Sequence, residues 1–243
     1  MTIVRYAHTL ISRVLLIIVA FFFVIPICIF AFVPAKMRYD SKILFWITHW
    51  FYWATLKCTL LPVSYIGIEN IPSEPVIFVA NHQSSLDIPL LGILAKQTSH
   101  IWLAKHELMD SFFLRWVLPL FAVLVDASSP KKAMRSLLQL ITLLNGKKRH
   151  LMIFPEGGRY TDGSIHEFFS GFVIIAKKIG RPVIPVYIKG VNKAYPPHSF
   201  FVQWEPISVV VGKPFTFFPG ETDEAFKLRV YEWFVNQTKQ YGE

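Results

Sequence analysis

Short apolar runs alternate with helix-like segments along most of this chain, and this alternation limits its fold more than any other feature. Six runs have the length and composition of buried strands: residues 76–80, 101–104, 122–125, 151–154, 183–188 and 207–211. Helical periodicity fits four further segments: 86–95, 131–144, 168–179 and 223–239. Strands that alternate with helices are typical of α/β domains. We therefore predict an α/β fold with a mostly parallel central sheet flanked by helices.

Two apolar segments precede the alternating region. Residues 14–33 form a run of twenty without a charge, long enough to cross a hydrocarbon core of roughly 30 Å. Residues 43–61 carry Trp46, Trp50 and Trp53 at helical spacing, which suits a membrane interface or a core-packing stripe. Pro26 interrupts the first run, so a spanning helix, an interfacial hairpin and a buried core helix all remain open. We predict an N-terminal membrane anchor over residues 1–62 and a second domain over residues 63–243.

A polar motif follows the first predicted strand, where α/β proteins place their functional groups. His82 stands two residues beyond the run 76–80, and Asp87 follows five residues later in the first turn of a predicted helix. In such an arrangement Asp87 fixes the tautomer of His82, and the second ring nitrogen can take a proton from a hydroxyl. The alternative is structural: a turn histidine and a first-turn acid that stabilises the helix.

A second polar motif follows the strand-like run 151–154. Pro155 ends the strand, Gly157 and Gly158 allow the backbone to approach a ligand closely, and Arg159 offers a planar fork suited to phosphate. No Gly-Lys-Ser/Thr sequence follows, so this turn is not a P-loop.

These two motifs, about seventy residues apart and in this order, resemble those of the glycerolipid acyltransferase family typified by 1-acylglycerol-3-phosphate acyltransferases. Three further segments are similar to other blocks of that family: Lys105–Leu108, Val123–Asp126 and Arg181–Val186. The likeness covers roughly residues 70 to 190 and depends on the combination of blocks.

The resemblance implies transfer of an acyl chain from acyl-CoA or acyl carrier protein to the free hydroxyl of a lysophospholipid. The acceptor that the resemblance favours most is 1-acylglycerol-3-phosphate, whose acylation gives phosphatidic acid. His82 matches the general base and Asp87 its orienting partner, while the matches to the acceptor-binding residues are Lys105, Glu156, Gly157 and Arg159. The thioester is a co-substrate, and neither a further cofactor nor a metal ion is expected.

Three positions depart from the family pattern. Ala127 stands where the family usually has arginine, Gly158 where it has threonine, and Ser170 where it often has lysine. The predicted catalytic pair is intact, but a cation expected near the acceptor phosphate is missing. An acyltransferase for another lyso-lipid, a non-catalytic lipid-binding protein on the same fold and a thioester hydrolase therefore remain alternatives.

Charge and composition favour a lipid surface over nucleic acid as the partner. The net charge is +9, but the basic residues are spread over several helices and their ends without a recognition motif. Charged residues make up only 17% of the chain, against roughly 25% in soluble domains. Lys36, Arg38 and Lys42 follow the first apolar run, which predicts an inner membrane location with the second domain facing the cytoplasm, although Arg5 and Arg13 also precede that run.

Overall fold

The computed structural model describes residues 2–112 and 114–241 of the chain. Within these ranges the helices are α1 Thr2–Ile29, α2 Ala35–Arg38, α3 Lys42–Cys58, α4 Asp87–Gly92, α5 Leu114–Phe121, α6 Pro130–Leu144, α7 Gly171–Ile179, α8 Val191–Ala194 and α9 Asp223–Tyr241. The strands are β1 Val63–Ile66, β2 Ile77–Ala80, β3 His100–Lys105, β4 Ala122–Val125, β5 His150–Ile153, β6 Val183–Lys189 and β7 Ile207–Val211. Short 3-10 turns cover Phe30–Phe32, Ile68–Asn70, Ile93–Ala95 and His106–Asp110.

The seven strands form one sheet in the order β1-β7-β6-β2-β5-β3-β4. Every neighbouring pair is parallel except β6 and β7, which are antiparallel. Hydrophobic clusters pack on both faces, and every residue of β2 is buried. The prediction of an α/β fold with a mostly parallel sheet flanked by helices is therefore confirmed.

The predicted strands lie within a residue or two of the observed ones, but four elements are absent from the sequence prediction: β1, α2, α5 and α8. β1 contains Ser64 and alternates between half-buried and exposed residues at the sheet edge, so it lacks the signature of a buried run. α2 and α8 are only four residues long. α5 has eight residues and holds Pro119 in its interior, which a helix ordinarily disfavours. Helix α7 begins three residues later than predicted, because the Phe169 N–H donates a hydrogen bond to the Pro155 carbonyl instead of entering the helix.

The N-terminal segment is a long helix that leaves most of its apolar surface uncovered. Residues Ile3–Phe32 are long and apolar enough to cross a membrane, and only 11% of their most apolar window is buried. Pro26 lies inside α1, which continues past it. Helix α3 packs against α1 through its inner face, whereas Trp46, Trp50 and Trp53 point outward with exposures of 51%, 36% and 43%. The tryptophan stripe is thus a surface feature and not a core-packing one.

Polar contacts tie these two helices to the sheet domain at several points. Arg149, almost fully buried at the entrance to β5, donates to the Asp40 carboxylate between α2 and α3 over 2.5 Å. Arg38 donates to the Pro119 carbonyl in α5 over 2.7 Å. Arg13 of α1 donates to the Phe200 carbonyl over 2.7 Å. The position of the helices relative to the sheet is therefore fixed by directed hydrogen bonds as well as by apolar packing.

Two buried histidines face each other at the amino ends of β3 and β5, where His100 and His150 are direct register partners. The Nε2 atom of His100 lies 3.1 Å from the Tyr52 hydroxyl, and its Nδ1 atom lies 3.1 Å from the Thr98 carbonyl oxygen. Burial lowers the pKa of both histidines to about 4. Both are therefore neutral in the folded protein at physiological pH.

The close contact between α3 and α4 predicts a stability effect at Gly92. A Cβ atom at this position would lie 2.3 Å from the Tyr52 ring, so Gly92→Ala should lower the free energy of unfolding by about 1 to 3 kcal/mol. Gly171→Ala is the control, because its nearest neighbour would be a leucine methyl at 3.8 Å. The measurement is thermal unfolding in detergent, and equal melting temperatures for the two variants would contradict the packing described.

The buried histidines predict a loss of stability in mild acid. Their folded pKa lies below the usual 6.5, so the unfolded chain binds more protons and stability falls as pH drops from about 6.5 toward 4. Each histidine should contribute about 2 kcal/mol of this loss between pH 7.5 and pH 5. His150→Gln should flatten the dependence measured by denaturant unfolding, whereas His106→Gln, at an exposed position, should leave it unchanged.

Candidate active site

The predicted site residues meet at the carboxyl edge of the sheet. β2 and β5 are parallel neighbours, so the chain leaves both strands at the same edge. His82 follows the end of β2 by two residues, and Glu156 follows the end of β5 by three. Lys105 is the last residue of β3, the next strand beyond β5. The site therefore lies where open α/β sheets commonly bind their ligands.

Asn81 determines how the chain leaves β2. Its side-chain nitrogen donates to the Ile188 carbonyl over 2.9 Å, and its side-chain oxygen accepts from the Ile188 N–H over 2.7 Å. The amide group thereby continues the pairing of β2 with β6 by one more residue. Because the side chain makes these bonds, the Asn81 backbone is free to turn away from the sheet and bring His82 into the crevice.

The carboxylate of Asp87 organises the turn that carries His82. One oxygen, Oδ2, accepts hydrogen bonds from the Gln83 N–H over 2.6 Å and from the Ser84 N–H over 2.7 Å. The same oxygen lies 2.8 Å from the Nδ1 atom of His82. The Asp87 side chain is fully buried, whereas that of His82 retains 13% exposure. The turn therefore holds the imidazole in one orientation at the crevice surface.

The partners of the His82 ring assign its tautomer. A carboxylate only accepts, so Nδ1 carries the proton and donates to Asp87. An arginine only donates, and the Nε–H of Arg159 lies 3.1 Å from the His82 Nε2 atom, which must therefore accept. The ring also stacks on Phe154 at 4.0 Å between centroids and 8° between planes. His82 is thus a neutral imidazole with its lone pair directed at the arginine.

Glu156 lies beneath the site and is only 3% exposed. Its Oε1 atom accepts from the His82 N–H over 2.9 Å, and its Oε2 atom accepts from the His166 N–H over 3.0 Å. Burial raises the pKa of Glu156, and these two backbone hydrogen bonds oppose that rise. Since both oxygens are engaged by the backbone, the carboxylate joins the His82 turn to the loop after β5.

Gly157 occupies a position that a larger residue would disrupt. Its φ of +65° lies in the left-handed region, and a Cβ atom there would lie 2.6 Å from the Phe169 ring and 3.3 Å from the Lys105 Cε atom. The stem of Lys105 therefore lies against this turn. Lys105 and Arg159 are both exposed, so two cations border the crevice that holds His82.

The end of β4 supplies a different environment. Asp126 pairs with Lys132 of α6 over 3.0 Å, and hydrogen bonds from Ser128 are the main cause of its lowered pKa. Ala127 follows it without a charged group. The cation that pairs with Asp126 at this strand end is therefore Lys132, which lies on helix α6 and not on strand β4.

All six predicted residues, His82, Asp87, Lys105, Glu156, Gly157 and Arg159, lie at this edge of the sheet. Two residues with clear positioning contacts were not predicted. Phe154 is the last residue of the predicted strand 151–154, and Asn81 stands directly before His82, but the spacing of the motifs assigns neither residue a role. The stacking of Phe154 on His82 and the hydrogen bonds between Asn81 and Ile188 join residues that are far apart in sequence. Local spacing therefore gives no signal for either contact.

Comparison with known proteins gives consistent matches. The sequence model of the family described as Acyltransferase matches residues 62–189. A 1-acyl-sn-glycerol-3-phosphate acyltransferase from Pseudomonas aeruginosa is 28% identical over 192 residues, which cover 79% of this chain and 71% of that protein. The enzyme of the same name from Saccharomyces cerevisiae is 32% identical over 156 residues, 63% of this chain and 51% of the yeast protein.

The match to another relative is shorter in proportion. A chloroplastic 1-acyl-sn-glycerol-3-phosphate acyltransferase from Brassica napus is 31% identical over 152 residues, which span 61% of this chain but only 43% of that protein.

The crystal structure of the 1-acyl-sn-glycerophosphate acyltransferase PlsC from Thermotoga maritima superposes with a TM-score of 0.77 at 23% identity. That superposition covers 98% of this chain and 97% of the Thermotoga chain and establishes the fold.

The hydrogen bonds of Glu156 predict that it is essential for the integrity of the site. In Glu156→Gln an amide NH₂ would face one of the two backbone N–H donors, so this variant should lose about 1 to 3 kcal/mol of stability. Glu167→Gln is the matched control, because Glu167 is exposed. Denaturant unfolding measures the difference, and equal stabilities would contradict the linking role.

Proposed function

This chain belongs to the acyltransferase family, and from that premise we propose that it transfers an acyl chain from acyl-CoA or acyl carrier protein to 1-acylglycerol-3-phosphate. The product is phosphatidic acid. The observation that carries the proposal is the neutral His82 imidazole, oriented by Asp87 at 2.8 Å, in a crevice bordered by Arg159. The names of several relatives support this acceptor.

The reaction needs one base and no covalent enzyme intermediate. The His82 Nε2 atom removes the proton from the acceptor hydroxyl as its oxygen attacks the thioester carbonyl carbon. The tetrahedral intermediate collapses with cleavage of the C–S bond, and the departing thiolate takes the proton from the imidazolium. Asp87 stabilises that imidazolium through Nδ1. General-base assistance of this kind contributes a rate factor of about 10² to 10⁴.

The acceptor phosphate binds to the two cations of the crevice. The guanidinium of Arg159 can contact two phosphate oxygens, and Lys105 adds a second charge beside the Gly157 turn. Gly157 provides close backbone approach, while Glu156 acts from below by holding the His82 turn to the loop that carries Arg159. We assign Glu156 a positioning role because both of its oxygens are occupied by backbone donors.

The protein associates with a membrane through its N-terminal helices. The support is the uncovered apolar surface of α1 and the outward tryptophan stripe of α3. We further propose the inner membrane as the location, with the sheet domain on the cytoplasmic side, on the basis of the basic residues between α1 and α3. Both substrates carry acyl chains, so a membrane-bound catalyst meets them where they partition.

His82→Ala should reduce acyl transfer by at least 10²-fold without unfolding the protein, since it removes the group proposed to accept the hydroxyl proton. The measurement is product formation from a radiolabelled long-chain acyl thioester by the detergent-solubilised protein with a panel of lyso-lipids. His82-dependent formation of phosphatidic acid supports the proposal. Product from another lyso-lipid alone would change the acceptor, and full activity of the variant would refute the base.

Arg159→Ala should weaken the phosphate acceptor much more than the acyl donor. Removal of a charged, planar donor predicts an increase of roughly tenfold or more in the acceptor KM, with a small change in the donor KM. Arg135→Ala serves as the control, because Arg135 is also an exposed arginine but lies on α6 away from the crevice. An unchanged acceptor KM would remove Arg159 from the phosphate site.

A further inference from the structure

The atom that must accept the hydroxyl proton already accepts a hydrogen bond from the protein. The Nε–H of Arg159 is directed at the His82 Nε2 atom over 3.1 Å, and Asp87 holds the other side of the ring. The lone pair needed for catalysis is therefore engaged by Arg159. Arg159 is also the residue suited to the acceptor phosphate, and a bidentate contact through its Nε–H and one terminal N–H would take the Nε–H away from His82.

We propose that Arg159 caps the catalytic base and that the acceptor phosphate removes the cap. This inference rests on the proposed function and adds to it a way in which the site favours the acceptor hydroxyl over water as the nucleophile. Without an acceptor, Arg159 occupies Nε2, and the base cannot activate a water molecule beside a bound thioester. When the phosphate enters, the guanidinium turns to it and His82 is freed for the acceptor hydroxyl.

The surroundings of Arg159 allow such a movement of the side chain alone. The residue is exposed, and no carboxylate in the described part of the chain pairs with it. The backbone beside it is fixed, because the N–H of Tyr160 donates to the His82 carbonyl over 3.0 Å. The loop thus keeps its register with the His82 turn while the guanidinium moves between its two partners.

A phosphate is the stronger partner for the guanidinium. The bond to His82 uses one N–H and a neutral acceptor. A phosphate monoester carries negative charge and accepts two parallel N–H groups, so its contact with the guanidinium has opposite charges and two bonds in place of one. Lys105 at the adjacent turn further attracts the anion. An acceptor that carries phosphate can therefore draw Arg159 away from His82, whereas a water molecule cannot.

The side reaction that the cap suppresses is hydrolysis of the thioester. His82 Nε2 would take a proton from water as the water oxygen bonds to the carbonyl carbon. The C–S bond would then break, the thiolate would leave with the proton from His82, and a fatty acid would result. This reaction uses the same base as acyl transfer, so it is a direct measure of whether the base is accessible.

The first test compares fatty acid release from a long-chain acyl-CoA without any acceptor. Arg159→Ala should hydrolyse the thioester roughly tenfold faster than the wild-type protein, because a hydrogen bond from a charged donor is lost. The double variant Arg159→Ala/His82→Ala should return to the background rate, and Arg135→Ala should match the wild type. Equal or slower hydrolysis by Arg159→Ala would overturn the proposal.

The second test uses the unmodified protein with methyl phosphate, which carries the phosphate but no acceptor hydroxyl. It should raise the hydrolysis rate of the wild type and leave that of Arg159→Ala unchanged. No increase in the wild type, or the same increase in both proteins, would refute release by phosphate. Acyl transfer to 1-acylglycerol-3-phosphate is measured in the same preparations, so failure of the cap with intact transfer is distinguished from failure of the proposed function.

Discussion

The site depends on one buried carboxylate oxygen. Asp87 Oδ2 receives two backbone N–H groups and the imidazole Nδ1–H, so the conformation of residues 82–84 and the orientation of the ring are set by the same atom. A carboxylate deprived of water is costly unless donors surround it. Here the donors to Oδ2 come from the turn itself, so this oxygen is satisfied only when the turn has its native shape. The other oxygen, Oδ1, is buried and has no hydrogen-bond partner among the described residues. Formation of the turn and orientation of the His82 imidazole are therefore one event.

A second buried carboxylate, that of Glu156, links the His82 turn to the loop that follows the neighbouring strand β5. Glu156 accepts from the N–H of His82 and from that of His166, and it thereby fixes the loop bearing Arg159 relative to His82. The two acids thus have different tasks, although both lie at the carboxyl edge of the sheet. Asp87 orients the His82 ring, whereas Glu156 fixes the distance between the His82 turn and the loop that carries Arg159. The competition between His82 and phosphate for Arg159 requires that this distance stays constant.

Much of the architecture was accessible from the sequence, because buried parallel strands are continuous apolar runs and the polar motifs stand directly after them. The prediction failed where burial is partial or context decides. β1 lies at the edge and alternates weakly, and the direction of β7 depends on a long connection that periodicity does not describe. The predicted site residues do gather at one edge. Their separate tasks were not predictable, since the Glu156 and Arg159 contacts depend on side-chain rotamers across 74 and 77 residues of sequence separation.

The double hydrogen bond of Asn81 limits which residue can stand at the start of the motif. The position needs a donor and an acceptor on two separate atoms at the end of one short side chain, and the carboxamide of asparagine provides them as its NH₂ group and its oxygen. Aspartate has nearly the same shape, but its carboxylate would face the Ile188 carbonyl oxygen. Conversion of the amide to the acid, the common chemical ageing of asparagine, would therefore turn an attraction into a repulsion at the point where the chain leaves the sheet. The working lifetime of the protein is thus linked to the chemical persistence of a residue that takes no part in the reaction.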